Sequence, residues 1–261
     1  MSDQPWLSIV TVVKDAPEDF ARSLASLSTQ DLSGVEYRVI DSSADTELVP
    51  AMLEAASLEP EYTWTSPAGI YAAMNLGLAQ ARGRYIYFLN AGDELLADVL
   101  GKVRAIATSA DARWLIGTVE VVATNGSSVI TPVWDFAAEQ RSLFARGKFA
   151  PHQGTFASVH DLQRVGGFDS SFRIAADYAA FLQLSKKSAP VMIDFPIARF
   201  HEGGLSTKSW QESFREFHRA RREILMPRGT AAARELFATG RQFLAVGIYR
   251  NFWSRVVRHD P

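Results

Sequence analysis

The residues best placed for chemistry form a turn at residues 90–93, directly after an apolar run at residues 85–89. The run has the length and composition of a buried strand, so Asp93 is expected at the carboxyl end of that strand. Ligands of open α/β sheets bind outside this end, and a carboxylate there suits a divalent cation that carries a diphosphate. The turn also has a purely structural interpretation, because Asn, Gly and Asp favour β-turns by themselves.

Two further aspartates occupy comparable positions. Asp41 ends the predicted strand 35–41, where its carboxylate could accept hydrogen bonds from a nucleobase or ribose, or could form an Asx-turn with Ser42 and Ser43. Asp177 opens a predicted helix beside apolar residues that could bury it, as a general base requires. An aspartate at that position could equally do no more than complement the helix dipole.

These side chains need a sheet to place them, and the hydrophobic pattern predicts one. Apolar strand-like segments alternate with amphipathic helices, which predicts an α/β fold with a Rossmann-like, mainly parallel central sheet flanked by helices. The predicted strands are residues 6–13, 35–41, 62–66, 85–90, 113–123 and 191–195. The first predicted helix starts after Asp15, which could cap it. Further helices are predicted at residues 70–81, 177–187 and 209–225. Asn125-Gly126 predicts a hairpin.

Composition narrows the class of protein. A chain of 261 residues with 47% hydrophobic and 21% charged residues predicts a globular protein with one sizeable α/β domain or one domain plus an appendage. The absence of cysteine excludes disulfides, thiolate metal sites and a catalytic thiol. The chain has no apolar run long enough to span a bilayer and no basic and apolar leader at its start, so we expect a cytoplasmic protein with peripheral membrane attachment left open.

The charge is unevenly distributed along the chain. From Arg199 onward there are twelve Lys and Arg against six Asp and Glu, so this stretch carries +6 and the preceding part −8. An i, i+4 apolar stripe in the same stretch consists of Leu244, Ile248, Phe252 and Val256. The basic helices could dock on the acidic body, on anionic lipid at the inner face of the membrane or on a second subunit, and no nucleic-acid partner is expected.

Several stretches, in order, resemble family 2 glycosyltransferases, which have a GT-A fold. They are Leu-Ser-Ile-Val-Thr-Val-Val-Lys-Asp at 7–15, Val-Ile-Asp-Ser-Ser at 39–43, Gly-Ile-Tyr-Ala-Ala-Met-Asn-Leu-Gly at 69–77, the strand and turn at 83–93, and the segments 152–156, 166–169 and 176–178. Within this family, the sequence is similar to bacterial glycosyltransferases of the colanic acid and exopolysaccharide type. The resemblance divides it into a glycosyltransferase domain at 1–206, with a nucleotide-sugar half at about 1–112 and an acceptor half at about 113–206, and a helical C-terminal extension at 207–261.

The resemblance also implies roles for individual residues. It assigns Asp93 to a Mg²⁺ or Mn²⁺ ion, Asp177 to the general base and Asp41 to the nucleoside. His201, expected in a glycine-containing loop over the donor, would reach the metal or the diphosphate. Further donor contacts are implied for Val13, Asp15, Tyr71, Asn75, Asn90, Ala91 and Gly92. His152 and Gln153 are implied to lie in the acceptor cleft.

The resulting expectation is a metal-dependent, inverting and non-processive glycosyltransferase that moves one sugar from a nucleotide diphosphate sugar to a glycan or lipid-linked hydroxyl in surface glycan synthesis. The chain departs from the family pattern at Ala68 and Ala72, where many relatives have acids, and its turn carries one carboxylate where a fuller motif has two. A catalytically silent nucleotide-sugar-binding adaptor is therefore an alternative. A nucleotidyltransferase is a weaker one, because no glycine-rich phosphate loop follows the first strand.

Overall fold

The computed structural model describes residues 4–133, 151–203 and 209–244, apart from residues 227, 231, 235, 238 and 242. The strands are β1 (Leu7–Val13), β2 (Val35–Asp41), β3 (Glu61–Trp64), β4 (Tyr85–Phe88), β5 (Glu94–Leu95), β6 (Trp114–Val122), β7 (Ser128–Ile130), β8 (Thr155–Ser158) and β9 (Val191–His201). The helices are α1 (Pro17–Leu27), α2 (Leu48–Ala55), α3 (Ile70–Gln80), α4 (Val99–Ser109), α5 (Val159–Arg164), α6 (Ala176–Ser185) and α7 (Trp210–Leu225). A 3₁₀ turn spans His152–Gly154.

Nine strands in the described part of the chain form one sheet. Its order is β3-β2-β1-β4-β8-β6-β9-β5, with β7 paired to β6. The first four strands are parallel, as predicted, whereas β8 runs antiparallel to β4 and β6, and β6 runs parallel to β9. The chain moves outward from β1 to β3 and then returns to place β4 on the other side of β1. This reversal puts a ligand-binding crevice at the carboxyl ends of β1 and β4.

Helices cover both faces of the sheet, which explains why every residue of β1 is buried. Alternate residues of β1 enter different cores: Leu7 and Ile9 pack with α1, α2 and α4, whereas Val10 and Val12 pack with α3, α5, α6 and α7. The carboxyl edge of the sheet lies between these two helical layers. Side chains from either layer can therefore meet there.

The start of α1 differs from the prediction. Pro17 occupies the first turn as expected, but the cap position is Ala16 and no side chain caps the helix. Asp15 has a backbone φ of +49°, and its Oδ1 accepts a hydrogen bond from the N–H of Ala44 at 2.8 Å. The carboxylate thus joins the ends of β1 and β2. It accepts the N–H of Ala44 instead of an N–H of α1, so it cannot cap that helix.

The last strand is longer than predicted. We expected residues 191–195, yet β9 continues to His201 and contains Pro196, although proline lacks the N–H that a strand interior uses. The pairing of β6 with β9 shifts register on both sides of Thr118, which is paired with Pro196, and such irregularities are where sheets accept proline. The predicted hairpin is confirmed, with Gly126 at φ +83° between β6 and β7.

Helix α7 packs directly on α6. The rings of Tyr178 and Phe217 lie 4.8 Å apart, and Ala220 is fully buried. The start of the basic stretch therefore docks on the body of its own chain, and the division at residue 206 stays a prediction. Leu244 of the predicted stripe is exposed, and its other three members lie outside the described residues. No described helix has the length and apolarity to cross a bilayer.

At the amino-terminal edge of the sheet, a buried carboxylate joins three segments. Glu36 accepts hydrogen bonds from the Ser8 hydroxyl at 2.5 Å, from the Arg38 guanidinium at 2.7 Å, and from the backbone and side chain of Arg82 at 2.9 and 2.7 Å. Burial by itself would raise the pKa of Glu36, but these hydrogen bonds outweigh it and hold the pKa at about 2. The charged form therefore stabilises the fold.

We expect Glu36→Gln to lower the free energy of unfolding by about 3 kcal/mol at pH 7, because it leaves the buried Arg38 without its counter-charge. Since folding depresses the pKa from 4.5, the contribution is present above pH 4.5 and is lost as the pH falls toward 2. Urea unfolding at pH 7 and at pH 3 measures both effects. Glu54→Gln, at an exposed position of α2, is the control. An equal loss at both pH values would contradict the assignment.

Candidate active site

Asp41 at the end of β2 is completely buried and fully engaged by its neighbours. Its Oδ1 accepts the N–H of Ser43 at 2.8 Å, which is the Asx-turn that the sequence left open, and its Oδ2 accepts the Tyr62 hydroxyl at 2.9 Å. Burial, followed by the hydrogen bond to Asp41 and its charge, raises the pKa of Tyr62 to about 12. A carboxylate can accept more than two hydrogen bonds, but Asp41 has no exposed surface, so a contact between Asp41 and a nucleoside stays a prediction that would require the surrounding side chains to move.

The ends of the three adjacent strands are held together around Ser43. Its hydroxyl accepts the N–H of Asp15 at 2.9 Å, and its carbonyl accepts the indole N–H of Trp64 at 3.1 Å. The carbonyl of Val13 accepts the N–H of Ser42 at 2.9 Å. Trp64 is 45% exposed, so a large aromatic surface stands beside Asp41 at the mouth of the crevice.

The predicted turn is present after β4, and helix α1 fixes its backbone. The N–H of Asp93 donates to the carbonyl of Asn90 at 2.9 Å, and Gly92 has a φ of +102°, which glycine adopts without strain. The Ser23 hydroxyl donates to the carbonyl of Asp93 at 2.8 Å and accepts the N–H of Gly92 at 3.0 Å. The N–H of Ala91 donates to the carbonyl of Val12 at 3.2 Å. The turn is thereby tied to both β1 and α1.

The Asp93 carboxylate points at the 3₁₀ turn of the second half of the chain. Its Oδ1 accepts the side-chain amide of Gln153 at 3.3 Å, and its Oδ2 lies 3.5 Å from Nε2 of His152. Asp93 is 5% exposed and Gln153 is 4% exposed. These contacts are long, so the carboxylate oxygens retain lone pairs for another ligand.

His152 connects two carboxylates from different parts of the sequence. Its Nε2 faces Asp93, and its Nδ1 lies 3.4 Å from Oδ2 of Asp177. Burial by itself would lower the pKa of His152, but the hydrogen bonds to Asp177 and Asp93 and their negative charges outweigh it and raise the pKa to about 9. The imidazole is therefore a cation between two anions at neutral pH.

The charge on His152 also bears on the neighbouring carboxamide of Asn90. Nδ2 of Asn90 lies 3.0 Å from Nε2 of His152, while the buried Oδ1 of Asn90 has no partner among the described residues. A protonated imidazole can only donate. If the Asn90 carboxamide turned by half a rotation, its oxygen would face Nε2 of His152. The imidazolium would then have an acceptor, and the buried oxygen would have a donor.

Asp177 lies in the first turn of α6, as predicted, and is 8% exposed. Its Oδ1 accepts the N–H of Tyr178 at 2.8 Å and lies 3.3 Å from the Tyr71 hydroxyl, which also contacts the carbonyl of Ile174. Burial and the charge of Asp177 raise the pKa of Tyr71 far above its ordinary value. Tyr71 thus contacts the candidate base, and a contact between Tyr71 and the donor stays a prediction.

Two glycines, Gly154 and Gly117, allow the 3₁₀ turn to lie in close contact with the sheet. A Cβ on Gly154 would lie 2.4 Å from the carbonyl oxygen of Gly117 on β6, and a Cβ on Gly117 would lie 2.1 Å from Ile197 on β9. Any side chain on Gly154 would lift the turn from β6, whereas one on Gly117 would push against Ile197 and disturb the pairing of β6 with β9. The positions of His152 and Gln153 therefore depend on these close backbone contacts.

Two predicted ligands are occupied by other partners. The Asn75 carboxamide pairs with the N–H and the carbonyl of Phe168, at 2.9 and 2.7 Å. His201 ends β9, where we expected a loop, because it pairs with Val122, and its Nε2 lies 2.5 Å from Oε1 of Glu94. A donor contact by Asn75 and a metal contact by His201 stay predictions, and each would require breaking one of these interactions.

The site offers limited ligands for a divalent cation. No group of three or more His, Asp or Glu side chains able to hold a metal occurs within the described residues. Asp93 alone fits, as a carboxylate with unused lone pairs, and a hard cation that retains waters can be held by one carboxylate together with substrate phosphates. Such a site would bind metal mainly when the phosphates are present.

Three contributors were not predicted. Tyr62 and Trp64 lie within the predicted strand 62–66, and the strand period of two places them on one face, although nothing local indicates that Tyr62 reaches Asp41. Ser23 is separated from the turn by about 70 residues, so its hydrogen bonds leave no signal in the sequence.

The chain is similar in sequence to two kinds of protein. An uncharacterized glycosyltransferase of Mycobacterium tuberculosis is 25% identical over 280 residues, which cover 98% of this chain and 98% of that protein. The O-antigen biosynthesis protein RfbC of Myxococcus xanthus is 27% identical over 219 residues, which cover 80% of this chain but only 17% of RfbC.

Solved structures share the fold at low sequence identity. TarS of S. aureus, residues 1–349 in complex with UDP-GlcNAc, has a TM-score of 0.66 at 16% identity, covering 84% of this chain and 65% of that one. A longer TarS structure is covered over 41% of its length. The mannosyltransferase PcManGT from Pyrobaculum calidifontis, in complex with GDP-Man and Mn²⁺, has a TM-score of 0.60 at 16% identity, covering 96% and 81%.

The family model described as Glycosyl transferase family 2 matches residues 8–157, more than half of the chain. The match includes nearly all of β1, the whole of β2 and the turn that carries Asp93, and the relative from Mycobacterium tuberculosis, covered over 98% of its length, is named as a glycosyltransferase. The chain therefore belongs to glycosyl transferase family 2 and is a glycosyltransferase with a GT-A fold.

Proposed function

We propose that this enzyme is metal-dependent and inverting, and that it moves one sugar from a nucleotide diphosphate sugar to a hydroxyl of a glycan or lipid-linked acceptor. The observation that carries the proposal is the placement of Asp93 and Asp177 on opposite sides of the His152 imidazole, at the carboxyl edge of the sheet. The solved relatives that hold UDP-GlcNAc and GDP-Man support a sugar nucleotide as the donor.

On the acceptor side, Asp177 would remove the hydroxyl proton. Its Oδ1 is held by the N–H of Tyr178 and the Tyr71 hydroxyl, so its Oδ2, which lies 3.4 Å from Nδ1 of His152, is the oxygen that would take the proton. The acceptor oxygen forms a bond to the anomeric carbon while the bond from that carbon to the diphosphate breaks. A single displacement from the opposite face inverts the anomeric centre.

On the donor side, Asp93 would hold Mg²⁺ or Mn²⁺, which when bound neutralises charge on the departing diphosphate. The backbone of residues 90–93 is already fixed by Ser23 and Val12, so little reorganisation is needed when the donor enters. Asp41 and the exposed Trp64 stand at the neighbouring strand ends, where the nucleoside would lie.

The acceptor is proposed from the relatives and the charge pattern. RfbC is named for O-antigen biosynthesis, which supports a role in surface glycan assembly. The basic stretch after Arg199 would favour an acceptor at an anionic surface, and the C-terminal helices would provide peripheral membrane or homo-oligomer contacts.

A silent sugar-nucleotide-binding adaptor is the second candidate, because Asp93 stands alone at the metal position and alanine occupies positions 68 and 72. A calorimetric panel of UDP-, GDP- and dTDP-sugars with and without Mn²⁺ separates the two. We expect one donor to bind at least about tenfold more tightly with Mn²⁺, because the cation joins Asp93 to the phosphates. We also expect a transfer or hydrolysis product whose anomeric configuration, read by NMR, is inverted. Binding without any turnover would support the adaptor, and no binding by any donor would contradict both.

A further inference from the structure

Helix α7 begins about 50 residues after the end of the family match, yet it contacts the segment that leads into Asp177. Oε1 of Glu216 accepts the N–H of Arg173 at 2.8 Å. Its Oε2 accepts the N–H groups of Ile174 at 2.8 Å and Ala175 at 2.9 Å. One carboxylate therefore binds three consecutive backbone N–H groups directly before α6.

These N–H groups need an external partner. The N–H of Ala175, the cap residue of α6, has no acceptor within the helix and no side-chain cap, and the N–H groups of Arg173 and Ile174 directly precede the helix. Glu216 supplies that acceptor from another helix. Asp177 follows Ala175 by two residues, so the backbone that Glu216 fixes sets the direction in which Asp177 leaves α6.

Two further side chains, from α3 and α7, contact the segment that leads into Asp177. The Tyr71 hydroxyl of α3 donates to the carbonyl of Ile174. Arg219, one turn after Glu216 on α7, donates to the carbonyl and hydroxyl of Ser171 at 3.2 and 2.9 Å, and its guanidinium lies 4.3 Å from the centre of the Phe172 ring. The approach to Asp177 is thus held between α3 and α7.

We propose that Glu216 is a positioning residue for sugar transfer, which fixes residues 173–175 and thereby orients the Asp177 carboxylate toward the acceptor. The inference rests on the proposed function, because that function makes Asp177 the base. It gives the C-terminal extension a part in the reaction. Misplacing a reacting group by about 1 Å costs about 10²-fold in rate, which sets the size of the expected effect.

The test compares Glu216→Gln with Glu54→Gln, the same charge change at an exposed position of α2, away from α7. Glutamine keeps the shape of Glu216 but replaces one accepting oxygen by an NH₂ group. We expect kcat to fall about 10- to 100-fold with the KM for the donor unchanged, since donor contacts are remote from α7. Hydrogen–deuterium exchange of the peptide that contains residues 173–175 should become faster in Glu216→Gln and stay as in the wild type in Glu54→Gln.

A double-mutant cycle separates positioning from general stability. If Glu216 acts through Asp177, Glu216→Gln should cause no further loss in an Asp177→Asn background, whereas a full additional loss would overturn the inference. Unchanged exchange, or faster exchange with wild-type kcat, would overturn it as well. A wild type that transfers no sugar overturns the proposed function too, while an active wild type with an equally active Glu216→Gln overturns this inference alone.

Discussion

Asp177→Asn should lower kcat for sugar transfer by about 10³-fold, because asparagine preserves the shape of the side chain but cannot accept the acceptor's proton. Donor binding should be retained, since Asp177 lies on α6 and we propose that the nucleoside binds at the ends of β1, β2 and β3. Steady-state kinetics, together with calorimetric titration of the donor, measure the two quantities separately.

Asp194→Asn is the matched control for this variant, because Asp194 is an exposed aspartate on β9. Its kcat should equal that of the wild type. Asp177→Asn with wild-type kcat would exclude this carboxylate as the base. A parallel loss of donor affinity would show instead that the substitution disturbs the whole crevice through His152.

Asp93→Asn should abolish the effect of Mn²⁺ on donor binding and lower kcat/KM by at least about 10²-fold, because the neutral amide is a poor ligand for a hard cation. The remaining affinity should match that of the wild type without Mn²⁺. Its backbone contacts to Ser23 do not involve the side chain, so the turn should keep its conformation. Calorimetry at several Mn²⁺ concentrations gives the comparison.

Asp194→Asn again serves as the control and should keep the full Mn²⁺ effect. Mn²⁺ enhancement that persists in Asp93→Asn would place the cation elsewhere. His201 would then be the next ligand to test, since Glu94, which it contacts, directly follows Asp93.

The parts of the fold that sequence predicts well are those set by local pattern. The buried run 7–13, the helix at 70–81 and the Asn125-Gly126 hairpin were all predicted within two residues, because periodicity and turn chemistry act over short stretches. The strand-end positions of Asp41 and Asp93 follow from the same pattern. Because β2 and β4 are parallel to β1, both positions lie at the same edge of the sheet, and this can be predicted from the strand order alone.

Contacts between distant segments were not predictable in this way. Asp15 looked like a helix cap because its partner, Ala44, is 29 residues away. The continuation of β9 past Pro196 was not predicted, because it depends on an irregular pairing with Thr118 of β6. His152 lies 59 residues after Asp93 and 25 before Asp177, so no local pattern indicates that one imidazole joins them.

The contact of Gly154 with Gly117 has a consequence for how this enzyme would tolerate random mutation. Neither glycine carries a functional group, yet a Cβ on Gly154 would overlap the backbone of β6 and displace the turn that holds His152, and a Cβ on Gly117 would overlap Ile197 and disturb the pairing of β6 with β9. In a saturation-mutagenesis library selected for activity, both positions should be as depleted of substitutions as Asp93 and Asp177. A ranking of positions by intolerance would therefore mix residues that perform the chemistry with residues that only leave space for it.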